Sequence, residues 1–350
     1  MPLSRAFRSA SALALILSAL ACSPAQAETS GAQSMARGDY ARAVKELTAS
    51  AKAGEPQAQL DLGLLLLEGK GTSADAVQAY KWIRQAAEKG LPEAAYQLGQ
   101  MKEEGQGSEK NLAEAAEWYR KAAEAGIVGA MASLGELYHN GDGFPKDDSQ
   151  AAIWFRKAAE QNDVESQLAL GKLYKYGLGV VRNLNEAGIW FRKAAQLGSP
   201  DGRYEVAMLL LDGQEASGKN AHAPSPATVE AIHWLEAAAD QNFPPALYAL
   251  GMAHLGGITA PLDMGVGLAL LQQSADQSYP PALRQLGQMY GYGKGVAKDA
   301  ARGYMYLDLA AQEGDKNAAF ERDILGNKID PLQVQQAKKR SREWLDLRGQ

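Results

Sequence analysis

The chain has 350 residues, a formal net charge of −5 and a single cysteine. An acidic balance makes nucleic acid and anionic lipid poor partners. One cysteine leaves no internal disulfide to staple the fold.

At the N-terminus, Arg5 and Arg8 precede an uncharged apolar run from Ala10 to Ala21, and Ala25-Gln26-Ala27 forms a small-x-small cleavage site. The run is far shorter than the ~20 residues a membrane span needs. Residues 1–27 are therefore predicted to be a secretory signal peptide, with no transmembrane span. Removing Arg5 and Arg8 takes the net charge to −5 − 2 = −7. Cleavage after Ala27 gives a soluble periplasmic protein without a thiol. The alternative is a lipoprotein, since Ala19-Leu20-Ala21-Cys22 resembles a lipobox and would leave Cys22 as a lipid anchor.

Residues 28–54 read as a polar, loose start followed by a capping helix that begins at Gly38-Asp39-Tyr40 and ends at Gly54. A repeat then takes over. A Leu-Gly pair stands at Leu62-Gly63, Leu98-Gly99, Leu134-Gly135, Leu170-Gly171, Leu250-Gly251 and Leu286-Gly287, and Val206-Ala207 occupies the same register. The step is 36 residues except between Ala207 and Gly251, where it is 44, so one unit carries an insertion, assigned to 215–226. A period in this range marks a solenoid or a related array.

Spacing inside the unit identifies its two helices. Ser166, Leu170, Leu173 and Tyr174 fall at steps of three and four and are closed by Gly177 and Gly179; Ala187, Trp190, Phe191, Ala194 and Ala195 repeat that spacing and are closed by Gly198. Prolines at 56, 92, 200, 244 and 280 open the first helices, where a missing N–H costs little. One hairpin cannot bury its apolar side, whereas stacked hairpins share a continuous core. Columns at Trp82, Trp118, Trp154, Trp190 and Trp234, with their alanine pairs, are predicted to be interior.

The pattern Leu-Gly, Tyr, Gly-x-Gly, then Ala-x-x-Trp-aromatic-x-Lys-Ala-Ala resembles the Sel-one-like repeat family, a relative of the tetratricopeptide repeat. It is clearest in YQLGQMKEEGQG, ASLGELYHNGDGFPKDDSQAAIWFRKAAEQN and RQLGQMYGYGKGVAKDAARGYMYLDLAAQEG. The resemblance implies an all-α, right-handed α-solenoid of seven hairpins over residues 55–314, capped by residues 315–350. In that cap, Asp330-Pro331 starts a helix with Val334, Ala337, Ser341, Trp344 and Leu345 on one side and Lys338, Lys339, Arg340 and Arg342 on the other.

Catalytic signals are sparse. Gly-x-Gly recurs at Gly69-Gly71, Gly105-Gly107, Gly141-Gly143, Gly177-Gly179 and Gly293-Gly295, but no strand precedes it, so these read as hairpin turns rather than phosphate cradles. His139, His222, His233 and His254 are scattered, with no metal-ligand spacing. A cysteine-rich branch of the family is linked to β-lactam binding and hydrolysis, yet this chain lacks those cysteines. No enzyme activity, cofactor or metal is predicted.

The residues that vary between copies are the candidates for binding. Counting from the Leu-Gly glycine, positions two before, one after and five after share a helix face. They give Gln97, Gln100 and Glu104, then Ser133, Glu136 and Asn140, then Lys172 and Tyr176, and finally Gln288 and Tyr292. The fifth and sixth units place Met208 and Met252 one after the glycine position, with Leu211 and Leu255 three later, which reads as an exposed apolar patch beside the insertion. The resemblance implies that this helix lines a concave groove holding a protein or peptide partner. The expected role is a non-catalytic interaction scaffold of the bacterial cell envelope. The alternatives are a scaffold for polysaccharide export or peptidoglycan assembly that touches envelope glycan, and a β-lactam-acting enzyme.

Overall fold

A computed structural model describes residues 30–212, 225–256 and 263–346. Among the described residues there are 18 helices and no strand. A short helix, α1 (Ser30–Ala36), and a longer one, α2 (Tyr40–Ala53), precede fourteen helices, two to each repeat. These are α3 (Pro56–Glu68) with α4 (Ala76–Glu88), α5 (Pro92–Glu104) with α6 (Leu112–Glu124), α7 (Val128–Asn140) with α8 (Asp148–Ala159), and then α9 (Val164–Tyr176) and α10 (Leu184–Gln196) in succession. There follow α11 (Pro200–Asp212) with α12 (Pro226–Ala239), α13 (Pro244–Leu255) with α14 (Met264–Ala275), and α15 (Pro280–Tyr292) with α16 (Ala300–Gln312). Helices α17 (Lys316–Gly326) and α18 (Pro331–Asp346) close the chain. The all-α class expected from the spacing inside each unit and from the family resemblance is the class found.

The described residues form two compact units, divided between Arg182 and Asn183. Period alone does not mark such a division, because each repeat in an array draws its contacts from its neighbours wherever it stands.

In the first unit, two clusters fill the space between hairpins. One joins Leu47, Leu62 and Leu65, and the other joins Ile83, Leu98, Met101, Tyr119, Leu134 and Trp154. The Leu-Gly glycine explains how a ring as large as Tyr119 or Phe155 fits within a hairpin. A Cβ on Gly135 would stand 2.7 Å from the Phe155 ring, and one on Gly99 would stand 2.6 Å from the Tyr119 ring. The glycine therefore admits an aromatic side chain whose burial contributes about 2–3 kcal/mol. Glutamines join successive repeats: Gln59 Nε2 donates to the Ala51 carbonyl at 3.0 Å, and Gln167 Nε2 to the Ala159 carbonyl at 3.1 Å.

The second unit is built the same way, from Ala207, Leu235 and Leu250 in one cluster and Leu271, Leu286, Met289, Leu307 and Ala337 in another. Here Ala207 replaces the glycine and faces the same cluster as Leu235, a smaller side chain than Tyr119 or Phe155. At the C-terminal end, Ala337 and Ser341 are buried while Val334, Trp344 and Leu345 pack on the core. The exposed side carries Lys338, Lys339, Arg340 and Arg342.

Helix ends follow the residue types. Asp75, Asn111, Asp147, Asn183, Asp263 and Asp299 each accept a backbone N–H at the start of a second helix. The turn after the second helix takes a left-handed residue, usually glycine, as at Gly126 and Gly314. Asn162, Asn242 and Ser278 hold the same conformation with φ of 65°, 58° and 60°.

Three expectations need correction or fall outside view. Residues 28–34 were expected to be loose, but Ser30–Ala36 is a helix. Ser34 Oγ donates to Glu46 at 2.7 Å, and Gly31 lies so close to α2 that a Cβ there would meet Leu47 Cγ at 2.5 Å. Trp154 and Trp190 are buried as expected, whereas Trp82, Trp118 and Trp234 are only half-buried. Residues 1–27, Cys22 and most of the 215–226 insertion, including His222, lie outside the described residues.

Candidate interaction surface

The face of the first helices is decided by helical geometry. At about 100° per residue, the position three before the glycine lies ~40° from the position one after it, and the position two before lies ~60° away on the other side. That difference determines which residues reach the surface.

In the first unit the position two before the glycine is interior. Gln97 is 4 % exposed and Ser133 2 % exposed, so neither is available to a partner and both leave the candidate set. The Gln97 Oε1 atom has no hydrogen-bond partner. Asp61 occupies the equivalent place in the first repeat and is also buried. Burial pushes its carboxyl up to about 6, although Gln57 Nε2 donates to it at 2.8 Å. The other predicted residues do reach the surface. Gln100 is half-buried and donates to the Tyr96 hydroxyl at 3.1 Å, while Glu104 and Asn140 are exposed. Glu136 and Lys172 are half-buried, and Tyr176 is 61 % exposed beside Lys175. The stripe of this unit is polar and of mixed charge.

In the second unit Met208 and Met252 are half-buried on the same stripe. Leu211 and Leu255 are not an open patch as expected: both pack at the edge of the core, and Leu255 sits against Gly267. Gln288 donates to both oxygens of Glu321 on α17, at 2.9 and 2.8 Å. Tyr292 is 40 % exposed, with Lys294 over its ring.

Sequence reasoning missed the aromatic part of this surface. Tyr204 on α11 and Tyr248 on α13 stand three before the glycine position, one helical turn from Met208 and Met252. Phe243 and Tyr279, the N-cap residues of α13 and α15, complete a group. The Tyr204 and Phe243 rings meet edge-on at 6.0 Å and those of Tyr248 and Tyr279 at 5.7 Å, and all four are half-buried. Burial, with the neighbouring phenol of Tyr279 and the carboxylate of Glu205, pushes the Tyr204 hydroxyl up to about 12. Burial also raises Tyr248 and Tyr279. The detectable signal was the column Leu60, Tyr96, Ala132, Leu168, Tyr204, Tyr248, in which tyrosines fall in two successive repeats at Tyr204 and Tyr248.

Turns and histidines carry structure here. The second glycine of a Gly-x-Gly lies against the preceding hairpin, and a Cβ on Gly107 would stand 2.0 Å from the Ala76 carbonyl oxygen. His139 Nδ1 lies 2.7 Å from Asp148, whose other oxygen is 3.3 Å from Lys146. His233 lies 3.2 Å from Glu236. Among the described residues no group of three His, Cys, Asp or Glu is placed to hold a metal ion, and no helix is long and apolar enough to cross a membrane.

Comparison with known proteins agrees with this architecture. The Sel1 repeat model matches seven times, at residues 56–91, 92–127, 128–163, 164–199, 200–243, 244–279 and 280–315. A Sel1 repeat protein from Oxalobacter formigenes is similar in structure: 31% identity, 82% of this chain and 81% of that one covered, TM-score 0.66. A protective antigen of uropathogenic Escherichia coli strains, which displays an SLR fold, is 28% identical over 88% of this chain and 80% of its own, with a TM-score of 0.44. None of the curated proteins compared matches the chain. With seven matching units across the helical hairpins, the chain belongs to the Sel1 repeat family, whose members generally serve as protein–protein interaction scaffolds.

Proposed function

We propose that this chain is an exported, non-catalytic scaffold of the bacterial cell envelope that binds a peptide segment of a partner protein along the first helices of its second unit. The observation that carries this reading is the half-exposed row Tyr204, Met208, Tyr248 and Met252, whose methionines stand where the first unit has Gln100, Glu136 and Lys172. Aromatic and methionine side chains supply large, adaptable contact area, and such patches mark interaction sites. The envelope location rests on the signal-like segment 1–27. Intact mass of the exported protein separates the two forms: a start at Glu28 supports the soluble periplasmic protein, and a lipid-bearing Cys22 replaces it with the anchored one.

Photo-crosslinking in intact cells tests the binding reading. A photoreactive residue at Met252 should yield adducts with a discrete protein, and one at Lys172 should yield none. Adducts only from Lys172, or adducts with glycan from Met252, would overturn it.

A further inference from the structure

Lysine and arginine side chains of this protein repeatedly lie over its own aromatic rings. Lys121 stands 3.8 Å from the Trp118 ring centre, Lys157 4.0 Å from Trp154 and Lys193 3.9 Å from Trp190. Arg302 covers Tyr290 at 4.1 Å, and Lys102 covers Tyr80 at 5.1 Å. Ring faces carry negative potential, and a cation placed over them is attracted. Over the rings of Tyr204, Phe243, Tyr248 and Tyr279, half-buried and grouped on one face, no lysine or arginine lies among the described residues.

The charges around this group point the same way. Glu205 and Asp212 both act on the Tyr204 hydroxyl, and Asp212, exposed at the end of α11, makes no ion pair among the described residues. The arginines of this face are already engaged. Arg203 donates to the Ala237 carbonyl at 2.7 Å, and Arg284, which acts on Tyr248, lies 3.5 Å from Asp315. Asp212 is thus an acid beside these rings without an ion pair among the described residues, in a chain whose net charge is −5.

We propose that Tyr204, Phe243, Tyr248 and Tyr279 receive a lysine or arginine side chain of the partner peptide, with Asp212 supplying counter-charge and Met208 and Met252 contacting the methylene stem. A cation over several rings, flanked by a carboxylate and by apolar surface for its stem, satisfies both halves of such a side chain. This rests on the scaffold reading above and names the chemistry of its partner.

The probe is the blocked tripeptide N-acetyl-Leu-X-Leu-amide, with X as Arg, Lys, Gln or Glu. It is titrated into the full exported chain carrying carbon-13-labelled methionine methyl groups. The Arg and Lys peptides should shift the Met208 and Met252 signals with roughly three- to tenfold higher affinity than the Gln peptide, and the Glu peptide should bind most weakly. Tyr248→Phe should keep that preference and Tyr248→Leu should lose it. Asp212→Asn, on an exposed helix end, should reduce it without touching the core. Equal affinity for the Arg and Gln peptides, or a preference for Glu, would overturn the cation proposal while leaving the scaffold reading standing. Methionine signals silent to every peptide would overturn it too, and the Met252 crosslinks then decide the scaffold reading separately.

Discussion

The first helices of the two units share one design and present different chemistry. In residues 30–182 the position one after the glycine holds Leu64 and then Gln100, Glu136 and Lys172, polar and of mixed sign, beside an interior row that holds Asp61, Gln97 and Ser133. In the second unit the corresponding surface is Tyr204, Met208, Tyr248 and Met252. The same hairpin period therefore supports a largely polar column in one stretch and methionines with tyrosines beside them in the other. Packing within the hairpins fixes the columns of glycine, alanine and leucine and leaves the intervening columns open to vary.

The largest effect tests the shared design. Gly135→Ala in the first unit should lower stability by about 1–3 kcal/mol, because the new methyl meets the Phe155 ring, whereas Ala207→Gly in the second should cost about 1 kcal/mol or less. Denaturant titration of both variants checks this. Equal losses would mean that the two hairpin types do not differ in how closely their helices approach.

Next comes the buried acid of the first unit. The Asp61 carboxyl, raised to about 6, is ionised in folded and unfolded chains alike above that pH, and its burial is then unfavourable. As pH falls from 6 toward 4 the folded chain takes up a proton that the unfolded chain does not, so stability rises through that window. Asp61→Asn should gain on the order of 2 kcal/mol at pH 7, and the gain should vanish near pH 4. A gain independent of pH would show that Asp61 is not the titrating group.

The surfaces themselves are compared by charge insertion. Met208→Glu with Met252→Glu should weaken partner binding about tenfold or more with the helical circular dichroism unchanged, while Glu136→Lys and Lys172→Glu should leave binding within about twofold. Loss of helicity in the methionine variant would make those residues core. The smallest effect concerns a turn. Ser278 holds φ 60° where Gly54, Gly90 and Gly126 serve in the first unit, so Ser278→Gly should raise stability by about 0.5–1 kcal/mol.

Much of this was legible without coordinates. The 36-residue step, the prolines at 56, 92, 244 and 280 and the glycines after each second helix announce helical hairpins because each residue type meets a local backbone requirement. The surface was read only in part. Spacing puts Tyr176 and Tyr292 on an exposed stripe, where they lie, but it puts Gln97 and Ser133 there too although they are interior, and it gives no reason to single out Tyr204 and Tyr248. Spacing tells which residues share a helix face and not which edge of that face the neighbouring helix covers.

The sequence by itself determined the repeat, its two helices, their caps and the all-helical class, since these depend on contacts within one unit and its immediate neighbours. Only the tertiary structure decided that Asp61 and Gln97 lie inside, that Leu211 and Leu255 close the core, and that Phe243 and Tyr279 join Tyr204 and Tyr248. Residues from successive repeats are a full period apart in the chain, and their meeting depends on how the hairpins pack, which no local pattern encodes.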